Sequence, residues 1–322
     1  MAGRDDDCGW RKATVTIPLV FATDNNYMFP LFVAMQSAIQ SAGRETRYEF
    51  HLLLSDDISG DNLKKLECMR KLHRHHDFII HSLRDTYKGI VMRIEHVTSV
   101  TYYRLQIPSL LVGMEKCIYL DCDVCICQDL TELFRRDITG KYMAGVRAPR
   151  HCRTEKVIRE NLSRLDIPSI DQYINAGVML MNLDRIRKDA VEERFHRLVK
   201  NDYPTQDEDI INKVCYGMID ILPPRYNVMP YGSLSDMAME VYQKDTGLQN
   251  AYSLDDWNAG RENPVIIHYA TRNKPWKDLS VNYANLWWKT AQQLPFFEDV
   301  FRHYIDGLCS TAAAAKKQGA EG

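Results

Sequence analysis

Short runs of continuous apolar residues alternate along this chain with longer stretches in which apolar positions recur at helical spacing. Thr14–Ala22 (TVTIPLVFA) is such a run and predicts a buried strand, ending in the polar turn Thr23-Asp24-Asn25-Asn26. Tyr27–Ala42 has helical spacing and stops at Gly43, a common helix terminator. Tyr48–Leu54 predicts a second strand, Asp61–His76 a second helix and Asp77–His81 a third, short strand. Cys117–Leu120 predicts a buried strand that stops at Asp121. Farther on, Lys141–Val146 and Ala176–Met181 read as strands, Leu183–Lys200 as one amphipathic helix, and Gln206–Tyr216 as a helix ended by Gly217. Pro264–Tyr269 reads as a late strand running into the loop ATRNKPW. Asn282–Leu294 and Phe296–Leu308 predict two amphipathic helices whose aromatic stripes suit core packing. This alternation predicts an α/β fold with βαβ units and a mainly parallel sheet. Ligands bind such sheets at the carboxyl ends of the strands. Asp24-Asn25-Asn26 and Asp121-Cys122-Asp123 both lie at such ends.

Composition narrows the picture. With 322 residues, 45% of them apolar, the chain is long enough for one large α/β domain, and a formal charge of −2 gives no basic footprint for nucleic acid. The acidic start MAGRDDDCGWRK has no apolar h-region, so no secretory signal is expected, and no apolar run reaches membrane-spanning length. Nine irregularly spaced cysteines predict reduced thiols in a cytosolic protein. Cys122, Cys125 and Cys127 lack the paired spacing of a zinc site and read as small packing residues. The tail STAAAAKKQGAEG is of low complexity and is expected to be disordered.

Asp121 and Asp123 are the chemically pointed feature. On an extended chain, positions i and i+2 face the same way, so the two carboxylates converge. A hard divalent cation such as Mn²⁺ or Mg²⁺ reconciles two converging anions and leaves positions for phosphates. On the residues alone, a turn or helix-capping role stays open.

Six motifs follow one another in order: ATDNNY, TYYRL, LDCD, NAGVMLMNL, QDEDIIN and HYATRNKPW. Together, from about Val15 to Trp276, they make the chain resemble glycosyltransferase family 8, retaining enzymes that use UDP-glucose, UDP-galactose or related donors. The resemblance implies a GT-A fold: a Rossmann-like, mainly parallel or mixed sheet flanked by helices, with helices at the C-terminus. The expected division is a disordered N-terminal leader over 1–13, the transferase domain over 14–278, a C-terminal helical extension over 279–309 and a disordered tail over 310–322.

The same resemblance assigns roles. Ala22, Asp24, Asn26 and Tyr27 would hold uridine, with Tyr27 stacking on the base. Asp121, Asp123 and His268 would bind Mn²⁺ or Mg²⁺, with Cys122 between the carboxylates and Thr271 and Lys274 beside the diphosphate. Arg104, Asn175, Ala176, Asp207 and Glu208 would act on the donor hexose or its diphosphate, with Gly177 allowing close approach. Three positions depart from the family pattern: Glu208 stands where Gln is common, Thr271 where Gly is common, and Ala148 where an aspartate is common. Glu208 reopens a double displacement, although front-face attack is favoured. The expected reaction is α-transfer of a hexose from a UDP-sugar to a glycan or glycolipid acceptor, as in lipopolysaccharide synthesis. The expected location is cytoplasmic, at the inner membrane face, where the basic and aromatic C-terminal stretch would reach the acceptor. A self-glucosylating primer protein and a UDP-sugar hydrolase or binding protein are the alternatives.

Overall fold

The computed structural model describes residues 15–83, 87, 89, 90, 92, 98–148, 155–230 and 252–305. The expected leader, the expected tail and the last residues of the expected final helix lie outside them. The first strand, β1 (Val15–Thr23), is followed by a tight helical turn at Asn25–Tyr27 and then α1 (Met28–Ser41). β2 (Thr46–Leu54), α2 (Gly60–Leu72) and β3 (Asp77–Ser82) complete two βαβ units. Ser59 caps α2 by accepting from the Asn62 amide at 3.2 Å. The helix expected to reach His76 stops at Leu72, because the His76 ring turns back to accept the Tyr48 amide at 3.0 Å.

Arg104 lies in a helical segment, Ser99–Gln106, that runs into α3 (Ile107–Leu110). Then come β4 (Lys116–Leu120), β5 (Val124–Ile126), α4 (Thr131–Arg135), β6 (Met143–Arg147), α5 (Glu155–Leu165) and β7 (Ile174–Asn182). The single helix expected over Leu183–Lys200 is two, α6 (Leu183–Lys188) and α7 (Val191–Leu198), broken at Ala190 with φ of 48°. Tertiary contacts override the periodicity there: Asp189 accepts from Tyr142 Oη at 2.9 Å and Arg185 Nε at 2.7 Å, which halts α6. α8 (Asp207–Val214), β8 (Ile219–Ile221), α9 (Leu254–Glu262), β9 (Ile266–His268) and α10 (Ala284–Ala291) follow, and the backbone is helical again over 297–305.

Seven strands form one sheet in the order β3-β2-β1-β4-β7-β6-β8. Among them only β7 runs against its neighbours, so the sheet is mixed. Both faces are covered. Leu19, Phe21, Ile118 and Leu120 enter the core shared with α1, whereas the intervening Val20 and Tyr119 enter the core shared with Tyr103 and Phe195. Trp287, Leu294, Val300 and Tyr304 join the first core, so the C-terminal helices are packed into the fold. β5 and β9 form a separate antiparallel pair with Val124 opposite His268, which brings the histidine to the Asp-Cys-Asp loop.

Candidate active site

The carboxyl ends of β1 and β4 open into a cavity of about 780 Å³. Of the residues expected in the site, Ala22, Asp24, Asn26, Tyr27, Arg104, Asp121, Cys122, Asp123, Asn175, Asp207, Glu208, His268, Thr271 and Lys274 all line it. Ala176 does not, because its side chain is buried in the core beneath. Its backbone is what counts: the carbonyl accepts from Arg104 Nη1 at 2.7 Å and the amide donates to Glu208 Oε2 at 3.1 Å.

β1 ends in a cap. Asp24 Oδ1 accepts from the amides of Asn26 and Tyr27 at 3.0 and 3.2 Å, while Oδ2 accepts from Thr98 Oγ1 at 2.9 Å. Tyr27 stands edge-on to Trp276, with ring centroids 6.1 Å apart. The Cys122 thiol donates to the Ala22 carbonyl at 3.3 Å and so ties β1 to the loop after β4.

Asp121, Asp123 and His268 offer ligand atoms that all lie within 4.8 Å of one another. His268 Nε2 is 3.2 Å from Asp123 Oδ1 and 3.6 Å from Asp121 Oδ2. Two hard carboxylates and one imidazole suit a divalent cation such as Mn²⁺ or Mg²⁺, and the packing protects the arrangement. A Cβ on Gly177 would stand 2.2 Å from His268 Cε1 and 2.6 Å from Asp121 Oδ2, so only glycine lets β7 pass this close. Gly177 therefore makes room for the histidine and the carboxylate. Burial alone would raise the Asp123 carboxyl, but Lys274 and His268 outweigh it and hold Asp123 well below the usual range. Lys274 is ion-paired with Asp123 and donates to the Tyr269 carbonyl at 2.6 Å. Thr271 turns into its own loop, accepting from the Asn273 amide at 3.3 Å.

Arg104 joins the two acidic groups of the cavity. Its Nη2 donates to Asp121 Oδ1 at 2.8 Å, and its Nε lies 3.0 Å from Asp207 Oδ2 and donates to the Thr101 carbonyl at 3.0 Å. The guanidinium also lies over the Tyr119 ring, 4.6 Å from its centroid. Where the resemblance assigns Arg104 to sugar or phosphate, the structure gives it these protein partners. Burial pushes the Asp207 carboxyl up to about 6, against the pull of Arg104 and the Thr101 hydroxyl, which donates at 2.7 Å. Glu208 Oε2 accepts from Asn175 Nδ2 at 2.8 Å, and Oε1 accepts from Tyr173 Oη at 3.4 Å.

Sequence reasoning missed Thr101, Tyr119 and Asn227. Thr101 precedes Arg104 by one helical turn, and Tyr119 precedes Asp121 by one pleat and donates to its Oδ1 at 2.8 Å, so both were within reach of spacing arguments. Asn227, 3.0 Å from His268 Nδ1, had no such signal.

A family model described as glycosyl transferase family 8 matches residues 18–280. The chain is 26% identical over 267 residues to general stress protein A of Bacillus subtilis, covering 80% of this chain and 86% of that protein. It is 25% identical to a lipopolysaccharide 1,2-glucosyltransferase of Escherichia coli, covering 87% of this chain and 79% of the relative. The crystal structure of galactosyltransferase LgtC in complex with donor and acceptor sugar analogues superposes with a TM-score of 0.72 at 24% identity, over 89% of this chain and 100% of that one. The mixed sheet flanked by helices is thus a GT-A fold, and the chain belongs to glycosyl transferase family 8 as a glycosyltransferase.

Proposed function

We propose that the protein is a metal-dependent, retaining transferase that moves glucose or galactose from its UDP derivative to a glycan or glycolipid acceptor, forming an α linkage. The observation that carries this reading is one cavity in which Arg104 links the Asp121–Asp123–His268 group to Asp207 and Glu208. Asp121, Asp123 and His268 would hold Mn²⁺ or Mg²⁺. Bound there, the cation would supply Lewis-acid stabilisation of the departing diphosphate.

The remaining chemistry belongs to side chains. Asp24, Asn26 and Tyr27 at the end of β1 would bind uridine, Tyr27 through its ring face. Lys274 would shift its pairing from Asp123 towards the diphosphate as charge develops on the leaving oxygen. Asp207 would accept hydrogen bonds from hexose hydroxyls and hold the ring as the anomeric carbon gains oxocarbenium character. Glu208 is engaged by Asn175, the Ala176 amide and Tyr173. Donors on a carboxylate stabilise its charge and blunt it as a nucleophile, which favours front-face attack over a double displacement. The acceptor is proposed to be a growing lipopolysaccharide or other cell-surface glycan, reached from the cytoplasmic side of the membrane. Among the described residues no helix is long and apolar enough to cross a membrane.

The test is to incubate purified protein with labelled UDP-glucose or UDP-galactose, Mn²⁺ and candidate glycan acceptors, with and without chelator. Chelator-sensitive transfer with retained anomeric configuration is expected. Free hexose as the main product in every mixture would replace transfer by hydrolysis, and label on the protein itself would indicate self-transfer.

A further inference from the structure

We propose that Asn227 is a positioning residue that fixes the His268 ring with its Nε2 turned towards Asp121 and Asp123, and that it ties that ring through Asn175 to the Glu208 carboxylate. The proposal rests on the reading of Asp121, Asp123 and His268 as cation ligands. Asn227 is fully buried at the end of the segment Pro223-Pro224-Arg225-Tyr226-Asn227. Its backbone is pinned on both sides: the Asn227 amide donates to the Pro224 carbonyl at 3.0 Å, and Val228 bridges to Ile267 beside β9. The His268 amide in turn donates to the Val228 carbonyl at 2.9 Å. The side chain has little freedom to choose other partners.

The polarity of the network follows from one group that can only donate. The Gly177 amide points at Asn175 at 3.1 Å, so the Asn175 atom there is the carbonyl oxygen. Asn227 approaches that same oxygen at 2.9 Å and must therefore present its NH₂ group. The Asn227 oxygen then faces His268 Nδ1 at 3.0 Å and requires a proton on that nitrogen. With Nδ1–H held by Asn227, Nε2 faces the two aspartates, where a bound cation would take its lone pair. At the other end, the Asn175 NH₂ donates to Glu208 Oε2 at 2.8 Å.

Reversing any member creates conflicts. Turning Asn227 over would set its oxygen against the Asn175 oxygen. Turning Asn175 over as well would set its NH₂ against the Gly177 amide and its oxygen against the Glu208 carboxylate. Partners of this kind that orient a ligating histidine typically change metal affinity or activity by about 10–100-fold when removed.

The test has two readouts besides turnover. In ¹⁵N-histidine-labelled, metal-free protein, the His268 ring (assigned by comparison with His268→Gln) should carry a proton on Nδ1, whatever the state of Nε2. Calorimetric Mn²⁺ affinity should fall about 10–100-fold in Asn227→Ala. Asn227→Asp keeps the acceptor for His268 but cannot donate to Asn175. It should hold Mn²⁺ within about threefold of wild type, inside the loss expected for removing the partner, while transfer falls further than Mn²⁺ affinity. A wild-type ring without a proton on Nδ1 would overturn the proposal. So would Mn²⁺ binding by Asn227→Ala equal to wild type, or Asn227→Asp losing Mn²⁺ as fully as Asn227→Ala. If Asn227→Ala does not fold, the wild-type ring spectrum and Asn227→Asp decide the matter. Wild-type protein that binds no Mn²⁺ would refute the cation reading, leaving the ring spectrum to judge the positioning.

Discussion

Asp123 and Asp207 are the same side chain, both line one cavity and both are more than nine-tenths buried, yet they are tuned in opposite directions. Burial would raise either carboxyl. At Asp123, the Lys274 ammonium and the His268 ring overcome it and keep the group ionised. At Asp207, one shared arginine does not, and the carboxyl rises to about 6. The difference separates two kinds of work. A carboxylate held permanently charged is suited to a cation, whereas one that is ionised only above about pH 6 is suited to accepting hydrogen bonds from uncharged hydroxyls. Placement follows the same division: Asp123 lies in the loop after β4, where β9 delivers His268, and Asp207 opens α8, where Arg104 and Thr101 meet it.

The hardest test of that division is Asp123→Ala. If Asp123 holds a cation as proposed, its removal should lower transfer by at least about a thousandfold, roughly 4 kcal/mol of barrier, with the fold intact by circular dichroism. Calorimetry should also show that UDP binding no longer responds to chelator. If UDP binding kept its metal dependence, the contrast would have no basis at this end of the cavity.

Asp207→Asn addresses the other end. Loss of a charge-assisted hydrogen bond of about 2–3 kcal/mol predicts transfer slower by roughly 30–150-fold, with UDP affinity nearly unchanged. In the wild-type enzyme, kcat/KM should fall as pH drops through about 6, and Asp207→Asn should lack that limb. The stability sign is fixed as well. Because the folded value lies above the ordinary 3.8, the contribution of Asp207 to stability is complete below that value and is lost as pH rises through about 6. Urea titrations of the two proteins across this window would reveal a rise of stability with pH if the assignment were wrong.

Gly177→Ala sharpens the comparison, since the atoms nearest the added methyl belong to His268 and Asp121 and none of them to Asp207. Displacing a ligating histidine should weaken Mn²⁺ by about 10–100-fold while leaving the acid limb in place. A shifted limb with unchanged Mn²⁺ affinity would reverse the assignment. The smallest effect is expected for Glu208→Gln. Its oxygen can still accept from Asn175 and the Ala176 amide, and its NH₂ can donate to Tyr173. Transfer should stay within about tenfold, roughly 1.4 kcal/mol, whereas a thousandfold loss, or hexose trapped on Glu208, would establish a double displacement.

Much of this was legible because the relevant signals are local. TVTIPLVFA, YEFHLLL and DFIIH gave strands close to their observed extents, and an apolar strand ending in Asp-Cys-Asp placed the carboxylates at a strand end. What failed depended on distant partners. Nothing in the periodicity of Leu183–Lys200 announces Ala190 in the left-handed region, since Tyr142 halts α6 by holding Asp189. Gln206 adopts φ of 53° without being glycine, immediately before Asp207. The aligned antiparallel β7 was not legible either, although only its direction sets Gly177 beside Asp121, whose amide donates to the Gly177 carbonyl at 2.8 Å.

The small ribbon of β5 and β9 has a consequence for how the protein comes into being. Lys274 reaches Asp123 across 151 positions of chain, and the Tyr269 amide donates to the Asp123 carbonyl at 2.9 Å. During synthesis the Asp-Cys-Asp loop therefore leaves the ribosome long before the strand that completes its surroundings. Contacts of such separation form late, after the nearby β1–α1–β2 units have condensed. Until then the two aspartates face each other without the imidazole or the ammonium that reconciles them. If the site takes a divalent cation as proposed, a nascent chain stalled ahead of β9 would hold it poorly, and tight uptake of the ion would report that the last strand has docked.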